Sequence, residues 1–159
     1  MTERMTEGDE QPAPHAEVEQ VWPEDGEIRV LGRLHGLTAA APQRGWLVQC
    51  ALRGPRGLSL EHPASVSGEA FEAVVPIAAL APPEAPGKGV WDLYLVHHLV
   101  HGGERLRVGR RLDDIRAKNT IMIYPAQTFP ADGGRVDVRP RYTVHENLSV
   151  DYQRVTETT

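Results

Sequence analysis

A chain of 159 residues, 40% hydrophobic and 25% charged, has the makeup of one folded domain of ordinary size and is too short for two large ones. Its net charge of −5 argues against a broad electrostatic grip on nucleic acid and leaves room only for a local basic patch. The single cysteine allows no internal disulfide, the N-terminus has no apolar core of signal-peptide type, and no run approaches the roughly 18 apolar residues of a membrane span; these features predict a soluble cytoplasmic protein.

Residues 1–15 are polar, acidic and proline-containing, and are expected to form a disordered tail ahead of a single domain at 16–159. From Ala16 onward, short stretches of β-type residues alternate with Gly, Pro and Asp, the pattern of an antiparallel all-β fold. "AEVEQVW" and "EIRVLGRLH" read as a hairpin about Asp25-Gly26, with Ile28, Val30, Gly32 and Leu34 on one face of the second arm. "GWLVQCALRG" follows as a central apolar strand that buries Cys50. "GLSLEH" and "GEAFEAVVP" supply two more strands, the latter with Phe71, Ala73 and Val75 on one side; "PIAAL" makes one helical turn, and "APPEAPGKG" is loop.

"VWDLYLVHHLV" has largely apolar faces on both sides and reads as a central strand that reverses through Gly102-Gly103 into "RLRVG". Strand alternation over its whole length points His97 and His98 to opposite faces and leaves His101 at the turn, so these histidines do not converge on a metal from one strand. "RRLDDIRAKN" is a helical turn or irregular connection. "TIMIYPA", "GRVDVRP", "RYTV" and "LSVDYQRV" complete about nine strands. An immunoglobulin-like β-sandwich built on Trp46 and Trp91 is the expected architecture, with a small barrel as the alternative.

Three pieces of the chain carry a pattern: Gly89-Val90-Trp91-Asp92, then Arg107 and Gly109, then Tyr142 and Thr143 with Asn147-Leu148-Ser149. In this pattern the chain resembles the β-rich accessory domains fused to actinobacterial cell-wall polymer transferases, the glycosyltransferases and CDP-glycerol glycerophosphotransferases of teichoic-acid type. The resemblance covers the C-terminal half well and the first hairpin loosely. It implies an accessory role beside a transferase, since the catalytic domain of such proteins is a separate and much larger unit.

The residues offer little of their own for catalysis. There is no H-E-x-x-H, no cysteine pair, no G-x-S-x-G and no phosphate-binding glycine loop; Asp113 and Asp114 sit among Arg110, Arg111 and Arg116 and read as surface ion pairs. No metal or cofactor is expected. Arginines stand out instead, because a guanidinium fork suits phosphate or carboxylate. Arg107, Arg110, Arg111, Arg139 and Arg141, with Tyr94 and Tyr142 as flat surfaces for sugar rings, form the candidate ligand face; an Arg-rich edge that discourages strand pairing is its ordinary explanation. The expected function is a non-catalytic binding module that engages a transferase partner protein or an anionic glycan or polyol phosphate. The alternative is a small stand-alone β-fold enzyme, a cyclase or isomerase of secondary metabolism, which needs an enclosed pocket with His97 or Tyr94 as acid-base.

Overall fold

The computed structural model describes residues 14–37, 39–109, 124–131, 133–143 and 147–156. Ten strands run through them: β1 (His15–Glu24), β2 (Glu27–His35), β3 (Leu47–Leu52), β4 (Ser59–Ser67), β5 (Ala70–Pro76), β6 (Lys88–Val96), β7 (Leu106–Gly109), β8 (Gln127–Ala131), β9 (Gly134–Tyr142) and β10 (Leu148–Thr156). The fold is all-β, with 3₁₀ turns at Ile77–Leu80 and His101–Gly103. No helix among the described residues is long and apolar enough to cross a membrane.

The first hairpin forms as its sequence dictates. Asp25 and Gly26 both hold left-handed φ, 59° and 79°, which a two-residue type I′ turn requires. In β1 the register slips between Val18 and Gln20, leaving Glu19 as an extra residue. That bulge shifts the alternation, so Ala16, Val18 and then Val21 all face the core. At the centre of the hairpin Gly32 is obligatory, because a Cβ there would collide with the Glu17 carbonyl and come within 2.7 Å of the Phe71 ring.

Seven strands close a ring in the order β3-β4-β5-β2-β1-β7-β6 and back to β3, while β10, β9 and β8 continue outward from β6. Two strands turn the corners. In β4, residues 59–63 pair with β3 and residues 64–67 pair with β5. In β7, Leu106 and Arg107 pair antiparallel with β6, and Val108 and Gly109 pair parallel with β1. This closure is the small barrel that the sequence held as its alternative; a sandwich would leave its two sheets open where β4 and β7 join them. Pro63 did not end the fourth strand, because it falls where β4 passes from one neighbour to the other.

Other differences lie toward the C-terminus. "GRVDVRP" and "RYTV" are one strand, β9. Of "TIMIYPA", residues 120–123 lie outside the described residues and 124–126 are not strand, whereas β8 begins at Gln127. The expected tail lies outside the described residues except for Pro14 and His15, and His15 opens β1 opposite His35.

Trp46, Trp91, Phe71, Leu95 and Leu148 pack into one buried cluster. Three large polar-tipped rings also tie down loops. Trp91 Nε1–H donates to Leu80 O (2.9 Å), Trp46 Nε1–H to Pro42 O (2.7 Å) and Tyr152 Oη–H to Pro86 O (2.6 Å). A buried indole or phenol must find an acceptor, and here the acceptors are loop carbonyls.

Candidate functional site

The wall made by β6, β10 and β9 carries most of the candidate residues. Antiparallel register sets them in rows on its outer face: Asp92–Ser149–Arg141, Val90–Asp151–Arg139 and Lys88–Gln153–Asp137. Tyr94 lies opposite Arg107 on the same face.

One edge of β6 is shared. Residues 88–92 pair with β10 and residues 94–95 with β7, so Leu93 falls between the two pairings. Arg107 fills that fork. Its Nη1 donates to Leu93 O (2.9 Å) and Leu148 O (2.7 Å), and its Nη2 to Asp92 Oδ1 (3.1 Å) and Ser149 Oγ (3.1 Å). Ser149, buried, donates in turn to Asp92 Oδ1 (2.7 Å), and Arg53 clamps the same carboxylate through Nε and Nη2 at 3.0 Å each. Burial pushes the Asp92 pKa up, but hydrogen bonds from Arg53 and Ser149 and the charges of Arg107 and Arg53 outweigh it, holding the carboxyl below its ordinary value. Arg107 moves down as well. Its burial costs more than Asp92 returns, since it shares that carboxylate with Arg53 and is repelled by Arg53 and Arg105. The cluster's stabilisation therefore rests on the acid, with Arg107 as the costly member.

Arg107 is thus committed to the fold and is not a free ligand group. Arg141 is half-buried and donates from Nε to Asp151 Oδ2 (2.7 Å). Tyr94 is covered by Arg105, whose guanidinium lies 3.9 Å from the ring centroid. Tyr142 is 3% exposed and belongs to the core, beside Tyr124. Arg110, Arg111, Asp113 and Asp114 lie outside the described residues. Of the candidates that lie within the described residues, Arg139 alone is exposed and has no partner among those residues. β8 pairs with β9 only over residues 134–138, so Arg139 lies just past the end of that pairing, on the strand β9 that β10 flanks on its other side.

Arg139 lines a surface groove of about 510 Å³, shared with Lys88, Val90, Asp137, Asp151 and Gln153. Sequence reasoning missed Lys88, Gln153 and Arg53, which carry no local pattern and meet only through register. Asp92, named only within the sequence pattern, was missed as well, although a lone carboxylate in an apolar strand needs partners and could have marked it.

The histidines part company with the alternation argument. β6 ends at Val96, so His97 and His98 lie beyond the strand, and their rings stack at 5.0 Å between centroids instead of pointing apart. His97 is buried against Trp46; its Nδ1 accepts from the Leu99 N–H (3.0 Å), so the proton sits on Nε2 and is donated to Arg44 O (2.7 Å). His98 is exposed, and His101 Nε2 lies 3.1 Å from Glu104. Among the described residues, no group of three His, Cys, Asp or Glu is placed to hold a metal ion. Cys50 is buried, and desolvation pushes its thiol up to about 12.

Comparison with known proteins places this geometry. No family model and no curated protein matches the chain. Among solved structures it is similar to residues 217–571 of S. aureus TarS, with a TM-score of 0.68 at 15% identity over 92% of this chain and 40% of that one. It is also similar to a longer S. aureus TarS chain, with a TM-score of 0.66 at 17% identity over 90% of this chain and 25% of that one. The chain therefore spans less than half the length of either, and at such identities the likeness is one of fold. Three residues of the sequence pattern, Asp92, Arg107 and Ser149, converge at the β6 fork and hold the fold together there. In fold, the chain resembles a part of S. aureus TarS.

Proposed function

We propose that this barrel is a non-catalytic accessory module of a cell-wall polymer transferase system, engaging a transferase partner or an anionic glycan or polyol phosphate. The observation that carries the reading is the fold shared with TarS, a teichoic-acid glycosyltransferase, over nearly the whole of this chain and a minor part of that one. The outer face adds support, for Lys88 and Arg139 are exposed cations without partners among the described residues. The enzyme alternative asked for an enclosed pocket. Trp46, Trp91, Phe71 and aliphatic side chains are buried in the core, and the groove lined by Lys88 and Arg139 lies on the outer face of the wall.

The test is retention of the purified chain on cell walls that carry or have been stripped of their anionic polymer, together with co-elution with the transferase. Salt-sensitive retention on the polymer-bearing walls, or a stable complex with the transferase, is the expected result. Equal behaviour on both walls with no complex overturns the reading.

A further inference from the structure

We infer that the groove over β6, β10 and β9 is a binding site for an acidic polyhydroxylated chain: a saccharide or polyol that carries phosphate or carboxylate groups at intervals. This deepens the accessory-module reading and rests on it. The argument is one of charge and spacing. Lys88 and Arg139 line the groove, are exposed, and have no partner among the described residues. They occupy opposite corners of the two rows Val90–Asp151–Arg139 and Lys88–Gln153–Asp137. With strands about 4.8 Å apart and about 3.4 Å per residue, their Cα atoms lie about 12 Å apart. Two cations at that distance suit successive charges on a chain better than one small anion.

Between them stand acceptors. Asp137 uses Oδ1 to hold Arg135 Nε (3.0 Å), and Asp151 uses Oδ2 to hold Arg141 Nε (2.7 Å). Each retains a second carboxylate oxygen, and the exposed Gln153 between the corners offers an amide that both donates and accepts. Hydroxyl groups satisfy such oxygens. A chain of bare phosphates would meet two carboxylates and be repelled, whereas a neutral sugar would leave Lys88 and Arg139 without counter-charges. A chain bearing both hydroxyls and spaced acids answers the charged and polar groups of the groove, and its carbon skeleton suits the Val90, Ala126 and Val138 that line the rest. Single-stranded nucleic acid lacks the stacking platform it needs, since Tyr152 is buried and its hydroxyl is tied to Pro86.

The experiment is a calorimetric and NMR titration of the full chain with four probes: a glycerol-phosphate hexamer, hexagalacturonate, maltohexaose and a linear inorganic polyphosphate. The expected result is binding of one or both acidic hydroxylated hexamers, weakening with salt and shifting amides at residues 88–90, 137–139 and 151–153. The phosphate and carboxylate arms decide which acid the groove takes. Lys88→Ala and Arg139→Ala should each weaken binding about tenfold or more, and both being exposed, their melting temperatures should match the parent. Polyphosphate or maltohexaose binding as tightly as the acidic hexamers overturns the ligand class. Undiminished binding to the doubly substituted chain, or no binding to either acidic hexamer, overturns the groove and leaves the accessory reading standing where the transferase complex still forms. Loss of wall retention and of the transferase complex overturns that reading instead.

Discussion

An aspartate within the apolar strand "VWDLYLV" has to be answered by donors, and Asp92 is answered by Arg53, Arg107 and Ser149 at once. Because its carboxyl is held below the ordinary value, the ionised form favours folding. That contribution is complete above about pH 4 and is lost as pH falls through Asp92's lowered pKa. Asp92→Asn is therefore expected to cost about 2–3 kcal/mol at neutral pH by urea denaturation, with the gap from the parent closing on acidification; a gap constant with pH contradicts this account. Arg107→Lys should cost a similar amount, because an ammonium cannot span the four acceptors that the guanidinium fork reaches, while Arg139→Ala on the same face should change stability by less than about 0.5 kcal/mol. Cys50 gives a simpler prediction. With its thiol buried and pushed up to about 12, it should react with a thiol reagent only at the rate of unfolding, and fast labelling in native buffer is the contrary outcome.

Among the elements, the loop after β6 shows how a boundary changes chemistry. Alternation is a property of extended chain, and β6 stops at Val96; past that point the chain turns and brings the His97 and His98 rings together. His97 then serves as a strut between this loop and the one before β3, bonding Leu99 N–H at one ring nitrogen and Arg44 O at the other. His97→Ala should cost about 1–3 kcal/mol and speed amide exchange at Leu99, whereas His98→Ala, at an exposed site, should be nearly silent. Equal effects of the two would refute the strut. The sandwich is not confirmed, and the barrel held as its alternative was decided at the same scale. Nothing local marks β4 and β7 as corner strands, since each pairs with one neighbour for half its length and with another for the rest.

At the scale of the whole molecule, closing seven strands removes edges from the ring and leaves β8 as the end of the paired series. Stability should be graded accordingly. Native-state hydrogen exchange is expected to find the slowest amides in β6, which is hydrogen-bonded along both edges and carries the buried Trp91, and the fastest strand amides in β8, which pairs only with β9. Uniform protection across the strands would count against the barrel as the stable unit.

By itself the sequence determined the all-β class, the Asp25-Gly26 hairpin, the inward faces of β2 and β5, and the burial of Trp46, Trp91 and Cys50. These follow from local rules, the period-2 alternation and the demand of a tight turn for left-handed φ. Tertiary structure alone decided the closure of the ring, the assignment of Arg107 to the β6 fork, and the meeting of Lys88, Gln153, Asp137 and Arg139 around one groove. Register between strands distant in sequence sets those neighbours, and register is a cooperative outcome of packing the whole core.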